Sequence, residues 1–276
     1  MPFTLAHPAA ILPIARGRLV PSALVMGSMA PDLTYYVSLP WIDPSHTLLT
    51  RTHHASSLLW LDPLIALALL VVFHLLFKRP VLALLPRSAA ERAWPSAERF
   101  RWRSATAVGW ILLSVAIGAA THVAWDDLGE LCSDSVAPMV DLAGTVLGLS
   151  AVLIWAWRWW QATPPQPIPS DLTLIKGLQT ATIGLLVAAS LLKGAIGAVK
   201  QVQQLRASNQ QDPSALPPGV VVPQWTGRDM AEGALRAFAQ DAVMVAVAVL
   251  AVYAVAWHLN HLTHHAPDPV TSDREL

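Results

Sequence analysis

A histidine and an aspartate four residues apart, His122 and Asp126, form the sharpest chemical motif in the chain. In a helix this spacing places both side chains on one face, one turn apart. An imidazole and a carboxylate placed in this way can bind one divalent metal ion together. Alternatively, the imidazole binds the ion and the carboxylate orients the imidazole through a hydrogen bond. The motif is also compatible with a histidine held by a neighbouring acid where a helix meets water, so both interpretations stay open.

Other histidines and acids can join this pair in a metal site. The candidate ligands are His7, Asp32, His46, His122 and Asp126. The adjacent pair His53 and His54 can supply an additional ligand or carry protons. A zinc ion held by such residues lowers the pKa of its water from about 15.7 to about 7, which is the chemistry of a hydrolase. No catalytic residue is assigned beyond these candidate ligands.

The composition indicates that lipid surrounds much of the chain. Of its 276 residues, 54% are hydrophobic and only 13% are charged, against roughly 25% charged residues in soluble domains. The mean hydropathy is +0.46. A formal net charge of zero does not favour a nucleic-acid partner. The single cysteine, Cys132, excludes an internal disulfide.

An all-α membrane fold is predicted because a helix of about 20 apolar residues crosses a bilayer. Five segments qualify, and together they make residues 1–276 a single membrane domain: 58–77, 105–125, 140–160, 174–198 and 237–258. Residues 9–30 are also apolar, but Arg16 and Arg18 would each cost about 2.5–3.5 kcal/mol at the centre of a spanning helix. We therefore expect residues 1–57 to form short helices and loops packed at the outer membrane face.

The charges in the loops predict the orientation. The loop 78–103 holds seven lysines and arginines against two glutamates, so the positive-inside rule places it in the cytoplasm. The N-terminal segment and the loop 199–235 then face outward, and the C-terminus is cytoplasmic. This topology brings all five candidate ligands to the outer face, as a shared metal site requires.

Four stretches of the chain resemble a bacterial membrane family that is designated a domain of unknown function, DUF4184. They are the opening Met1 to Ala10 (MPFTLAHPAA), Gly27 to Asp32 (GSMAPD), Ser45 to Thr47 (SHT) and His122 to Asp126 (HVAWD). The resemblance covers roughly residues 1–160. The order of histidines and aspartates is also similar to that of membrane-bound metal-dependent hydrolases of bacterial inner membranes and of zinc-dependent phospholipases C. This similarity implies a site for one or more metal ions, zinc being the expected ion.

The chain departs from the related sequences at two positions. Glu130 and Asp141 stand where further histidines are expected. Both can substitute as oxygen ligands, so one or two metal ions are expected rather than three.

The expected function is a membrane-embedded metal-dependent hydrolase of the phosphodiesterase or phospholipase type, in the bacterial inner membrane. Membrane lipids are its expected partners, and a lipid-linked or phosphodiester compound is its expected substrate. The alternative is a non-catalytic integral membrane protein in which the same residues hold a structural metal or a polar network. A transporter is disfavoured because the spans carry few polar groups and no internal repeat.

Overall fold

The computed structural model describes residues 3–36, 51–100, 102, 104–133, 136–174, 176–211 and 224–264. These ranges are helical and contain no strand. The helices are α1 (Pro8–Ile11), α2 (Pro21–Met29), α3 (Leu33–Tyr36), α4 (Leu61–Leu84), α5 (Arg87–Glu98), α6 (Ala105–Glu130), α7 (Ala137–Ala162), α8 (Lys176–Asn209) and α9 (Gly227–His264). Short 3-10 helices are Thr4–Ala6, Ala55–Leu59 and Ser170–Leu172.

Five of the described helices are long and apolar enough to cross a membrane, namely α4, α6, α7, α8 and α9. The predicted all-α, multi-pass membrane fold is thereby confirmed. The helix ends differ from the prediction, because helix continues into residues assigned to loops. Helix α4 runs on to Leu84 and α5 occupies much of 78–103, whereas α8 and α9 shorten the predicted loop 199–235.

The contacts divide the chain into two compact units, Met1–Thr173 and Leu174–Leu276, where the sequence predicts one membrane domain. The second unit is an antiparallel pair formed by α8 and α9. Lys193 and Asp241 form an ion pair between them, beside Gly197, where an added Cβ would lie 2.3 Å from a carboxylate oxygen of Asp241. A charge in an apolar helix requires such a partner, since an unpaired one is expensive in lipid.

In the first unit, the short helix α2 lies parallel to the middle of α6. The Val20 amide donates to Ser114 Oγ at 2.9 Å, and eight residues later the Ser28 carbonyl meets His122. Glycines allow this approach, because a Cβ at Gly118 would lie 2.3 Å from the Leu24 carbonyl oxygen. The N-terminal segment therefore packs along the middle of α6, from Ser114 to His122. The sequence analysis predicts it only at the outer end of that span.

Helix α4 covers the other side of α2 and runs in the opposite direction. Small side chains keep this contact close, and the buried core consists of Ala23, Ala30, Ala66, Leu70, Ile111 and Val115. One turn of α4, Phe73–Phe77, is a π-helix. It presents His74 Nε2 to Ser22 Oγ at 3.1 Å, so one of the two ring nitrogens of this intramembrane histidine has a hydrogen-bond partner.

Helix α7 fixes the start of the chain. The Phe3 amide donates to Thr145 Oγ1 at 2.9 Å. At Gly148 an added Cβ would lie 2.8 Å from the Cβ of Ala6, so the turn Thr4–Ala6 packs directly on the α7 backbone. These two contacts place His7, which follows the turn.

We expect Gly118→Ala to destabilise the first unit by about 1–3 kcal/mol, the usual cost of overpacking a close contact. Gly109→Ala on the same helix is the matched control, because nothing lies within 4 Å of its added Cβ. That control should be neutral or gain up to about 1 kcal/mol in helix propensity. The measurement is thermal unfolding of the purified protein in detergent, and equal midpoints for the two variants would contradict the packing described here.

Candidate metal centre

Two carboxylates and two imidazoles converge where α2 and α6 end. Asp32, His53, His122 and Asp126 each offer one ligand atom, and these atoms all lie within 4.8 Å of one another. His122 Nε2 lies 3.2 Å from Asp126 Oδ2 and 3.5 Å from Asp32 Oδ1. His53 Nε2 lies 3.4 Å from Asp32 Oδ1 and 3.6 Å from Asp126 Oδ2. The residues are distant in sequence, so the fold assembles the cluster.

The protonation of His122 is set by a backbone carbonyl. Its Nδ1 lies 2.8 Å from the Ser28 oxygen, and a carbonyl only accepts, so Nδ1 carries a proton. In the neutral ring, Nε2 therefore keeps its lone pair, and this atom faces the two carboxylates. A histidine that donates its other nitrogen in this way has the usual arrangement of a metal ligand.

His53 is oriented by the residue before it. The Thr52 hydroxyl donates to the Pro31 carbonyl at 2.9 Å and lies 3.3 Å from His53 Nδ1. Because its single proton is used on Pro31, the hydroxyl accepts from His53 Nδ1–H. Nε2 of His53 is again left with a lone pair directed at the cluster.

Asp32 is held as a carboxylate. Burial by itself raises the pKa of its carboxyl, but the neighbouring His122 and His53 outweigh burial and bring the pKa well below its usual range. Asp32 is therefore ionised at neutral pH, as a metal ligand must be. Nearby, the Thr4 hydroxyl lies 2.8 Å from Tyr36 Oη. Burial raises the pKa of the Tyr36 phenol, which stays protonated at neutral pH.

The spacing in the cluster fits metal ligands better than hydrogen-bonded partners. Charge-assisted N–H···O bonds measure about 2.7–2.9 Å, whereas these nitrogen–oxygen pairs are separated by 3.2–3.6 Å. Ligand atoms at about 2.0–2.2 Å from a tetrahedral ion lie about 3.3–3.6 Å from one another. Consistently, His122 Nε2 and both carboxylate oxygens of Asp126 are buried without a hydrogen-bond partner among the described residues.

The negative charge of the cluster is also suited to a cation. Asp32 and Asp126 are only 3% and 4% exposed, and a buried ionised carboxylate is costly unless it is paired. In the described part of the chain, their ion-pair partners are histidines and not lysine or arginine. A divalent ion bound between the two carboxylates would neutralise both. The donor set of imidazole nitrogens and carboxylate oxygens suits zinc.

The cluster opens to its surroundings on one side. His122 is fully buried, whereas the side chain of His53 is 17% exposed. The chain that follows His53 carries two exposed apolar side chains, Leu59 at 86% and Trp60 at 57%. His53 is thus the member of the cluster that is accessible from outside.

The structure places the other predicted ligands as follows. His7 lies beside the four-residue cluster: its ring stacks on His122 with centroids 3.8 Å apart, and its Nε2 is 3.7 Å from Asp126 Oδ1. His46 and the Glu130 side chain lie outside the described residues. His54 is exposed and does not belong to the cluster. Asp141 is also outside it, with a carboxylate oxygen beside Gly129.

Sequence reasoning missed the groups that hold the ligands. Asp62 is fully buried at the start of α4 and accepts a hydrogen bond from Ser57, which ties the segment carrying His53 to this span. An acid near the end of an apolar run was the one available signal. No sequence signal exists for the Ser28 carbonyl, because every residue carries one.

The fold and the cluster define a multi-pass membrane protein with a buried histidine–carboxylate centre in its N-terminal half. Residues 1–130 match the family model described as a domain of unknown function, DUF4184. This match supports the assignment of that segment to the family, and it contains all four residues of the cluster. The chain matches no curated protein and no solved structure.

We expect Thr52→Val to weaken metal binding about 10–100-fold, the usual cost of removing a group that orients a ligand. The variant keeps the shape of the side chain but removes the acceptor of His53 Nδ1–H. Thr182→Val, which removes a hydroxyl bonded to its own helix in the second unit, is the control and should bind as the parent does. The measurement is a zinc titration of the metal-stripped protein in detergent, and equal affinities for the two variants would contradict the assigned role of Thr52.

Proposed function

We propose that the protein is a metal-dependent hydrolase whose metal ion is held by Asp32, His53, His122 and Asp126. The observation that carries the proposal is the convergence of two carboxylates and two imidazoles at 3.2–3.6 Å, with the Nδ1 atoms of both rings engaged elsewhere. This arrangement leaves lone pairs and negative charge directed at one point.

Each residue has a defined part in this proposal. A bound divalent ion supplies Lewis acidity, activating water near neutral pH and polarising the electrophile. Asp32 and Asp126 provide the charge that retains the ion, and His122 is fixed by the Ser28 carbonyl. His7 packs between His122 and Trp125 and contacts the second oxygen of Asp126. It therefore keeps bulk water away from the buried side of the centre.

The position of the centre supports a lipid-linked or phosphodiester substrate. His122 and Asp126 lie in the last turns of a candidate span, at the depth where headgroups meet the hydrocarbon. The partly exposed His53 is followed in the chain by the exposed Leu59 and Trp60, and Leu128 and Leu131 near the end of α6 are 63% and 82% exposed. A substrate with an acyl or isoprenoid chain can keep that chain in the bilayer while its ester reaches the centre.

Burial of the ligands favours a second candidate, a structural metal. Structural zinc sites use four protein ligands and are closed, whereas catalytic sites keep one position open. Three of the four residues are 4% exposed or less, and only His53 borders the opening. In this alternative the ion joins the N-terminal segment to α6 and no turnover occurs.

Asp126→Asn separates the two candidates. If the centre is catalytic, the variant should lose at least about 100-fold in hydrolysis of an activated phosphodiester, while its unfolding midpoint falls by only a few degrees. If the ion is structural, removal of metal by a chelator should lower the midpoint sharply, and neither parent nor variant should turn over substrate. His54→Ala, an exposed histidine next to a ligand, is the control for both readouts and should match the parent. Metal content by elemental analysis accompanies each measurement, and a folded parent that takes up no zinc or manganese would overturn both candidates.

We further propose that the protein lies in the bacterial inner membrane with the centre on the outer side. The basic residues of α5 and its neighbours lie at the opposite end of α4 and α6 from the centre, which supports this orientation under the positive-inside rule.

The single cysteine tests the orientation. Cys132 lies just after α6, at the end that carries the centre, and is half-buried. A membrane-impermeant maleimide should label it in intact spheroplasts. In a Cys132→Ser background, the exposed Ser88 of α5 changed to cysteine should be labelled only after the membrane is permeabilised. The reverse pattern would place the centre in the cytoplasm.

A further inference from the structure

A cavity lies at the other end of the first unit, far from the metal centre along α6. It has a volume of about 430 Å³ and is formed by α5 and the segment after α7; its lining includes Trp94, Glu98, Arg99, Thr163 and Gln166. This volume is within the range of about 300–1,000 Å³ typical of ligand sites. The cavity borders the ends of two candidate spans, α4 and α7.

A proline creates the attachment that shapes this cavity. Pro95 lies inside α5 and has no amide proton, so it cannot bond to the Glu91 carbonyl one turn earlier. The freed carbonyl instead accepts from the Gln166 amide at 2.9 Å. The extended segment 163–169 is thereby fixed against α5. This hydrogen bond holds the two sides of the cavity at a defined separation.

Two arginines near this cavity have no ion-pair partner among the described residues. Arg99 lines it, and Arg92, seven residues earlier and so on the same helix face, stacks its guanidinium on Trp160 of α7 at 4.4 Å. Nε of Arg92 is buried and donates no hydrogen bond to the described residues. Arg79 adds a third guanidinium over Trp94 at 5.8 Å.

The two acids of α5 also have basic partners of their own. Glu91 is bound by Arg87 at 2.8 Å. Glu98, the acid in the lining, interacts electrostatically with Lys78. The excess of guanidinium groups beside tryptophans, at the ends of two spans, therefore complements a phosphate anion at the membrane surface.

We propose that this cavity binds the headgroup of an anionic phospholipid, with Arg99 contacting the phosphodiester and Arg92 adding positive charge beside it. Thr163 and Gln166 offer hydrogen-bonding groups for headgroup hydroxyls. The acyl chains extend along the exposed apolar surfaces of α4 and α7. This site is separate from the metal centre and does not depend on the proposed hydrolase activity.

The test is native mass spectrometry of the full chain in detergent, titrated with phosphatidylglycerol, phosphatidylcholine and glycerol 3-phosphate. The parent should prefer phosphatidylglycerol over phosphatidylcholine by about tenfold or more. The double variant Arg92→Gln/Arg99→Gln should lose about thirtyfold in affinity for phosphatidylglycerol, as expected for two arginine charges near an anionic lipid. Arg87→Gln, on the same helix but paired with Glu91, should bind as the parent does.

Three further outcomes of this titration decide for or against the lipid site. Should the double variant fail to fold, the single variant Arg99→Gln, which alters an exposed side chain, must still lose at least threefold. Equal losses in Arg87→Gln and the double variant would mean general charge attraction and would overturn the site. Glycerol 3-phosphate that binds as tightly as phosphatidylglycerol would identify a site for soluble phosphate esters and overturn the lipid assignment.

Discussion

Two buried carboxylates close to each other impose the main constraint on this molecule. Asp32 and Asp126 lie in a region almost without solvent, and moving such ions out of water costs several kcal/mol each. Mutual repulsion adds to this cost because both face the same point. The surrounding imidazoles offer lone pairs and contribute no positive charge while they are neutral. Positive charge stabilises the arrangement, supplied either by a protonated ring or by a cation bound between the two carboxylates.

Close backbone packing makes this arrangement possible. The Ser28 carbonyl reaches His122 only because α2 and α6 touch at Gly27 and Gly118, where a side chain on either would collide with the opposing backbone. The start of the chain is held in a similar way on Gly148. Glycines in this protein therefore set the geometry of ligands that lie a turn or more away. The histidine–carboxylate cluster at the end of α6 depends on small residues in the middle of that helix.

The sequence was sufficient for the global architecture and for part of the centre. Long apolar runs predict spans reliably because lipid leaves the backbone little choice, and the HxxxD spacing identified His122 and Asp126 because helical periodicity is local. Asp32 was found from its motif, while His53 was ranked only as an additional ligand. Its selection over His54 depends on which ring the Thr52 hydroxyl can reach, a tertiary contact that no spacing encodes. The helix ends were misplaced because basic residues signal the membrane boundary and do not terminate a helix, so α4 continues through Lys78 to Leu84.

The parallel contact of α2 with α6 also has a consequence for biosynthesis. About ninety residues separate Ser28 from His122, and α4 must be inserted between them in time. Until α6 leaves the ribosome and enters the bilayer, the N-terminal segment lacks the helix that packs against Leu24 and the His122 ring that faces Asp32. The segment can take its final place only after α6 is inserted. The centre can therefore form only when the spans of the first unit have been inserted correctly.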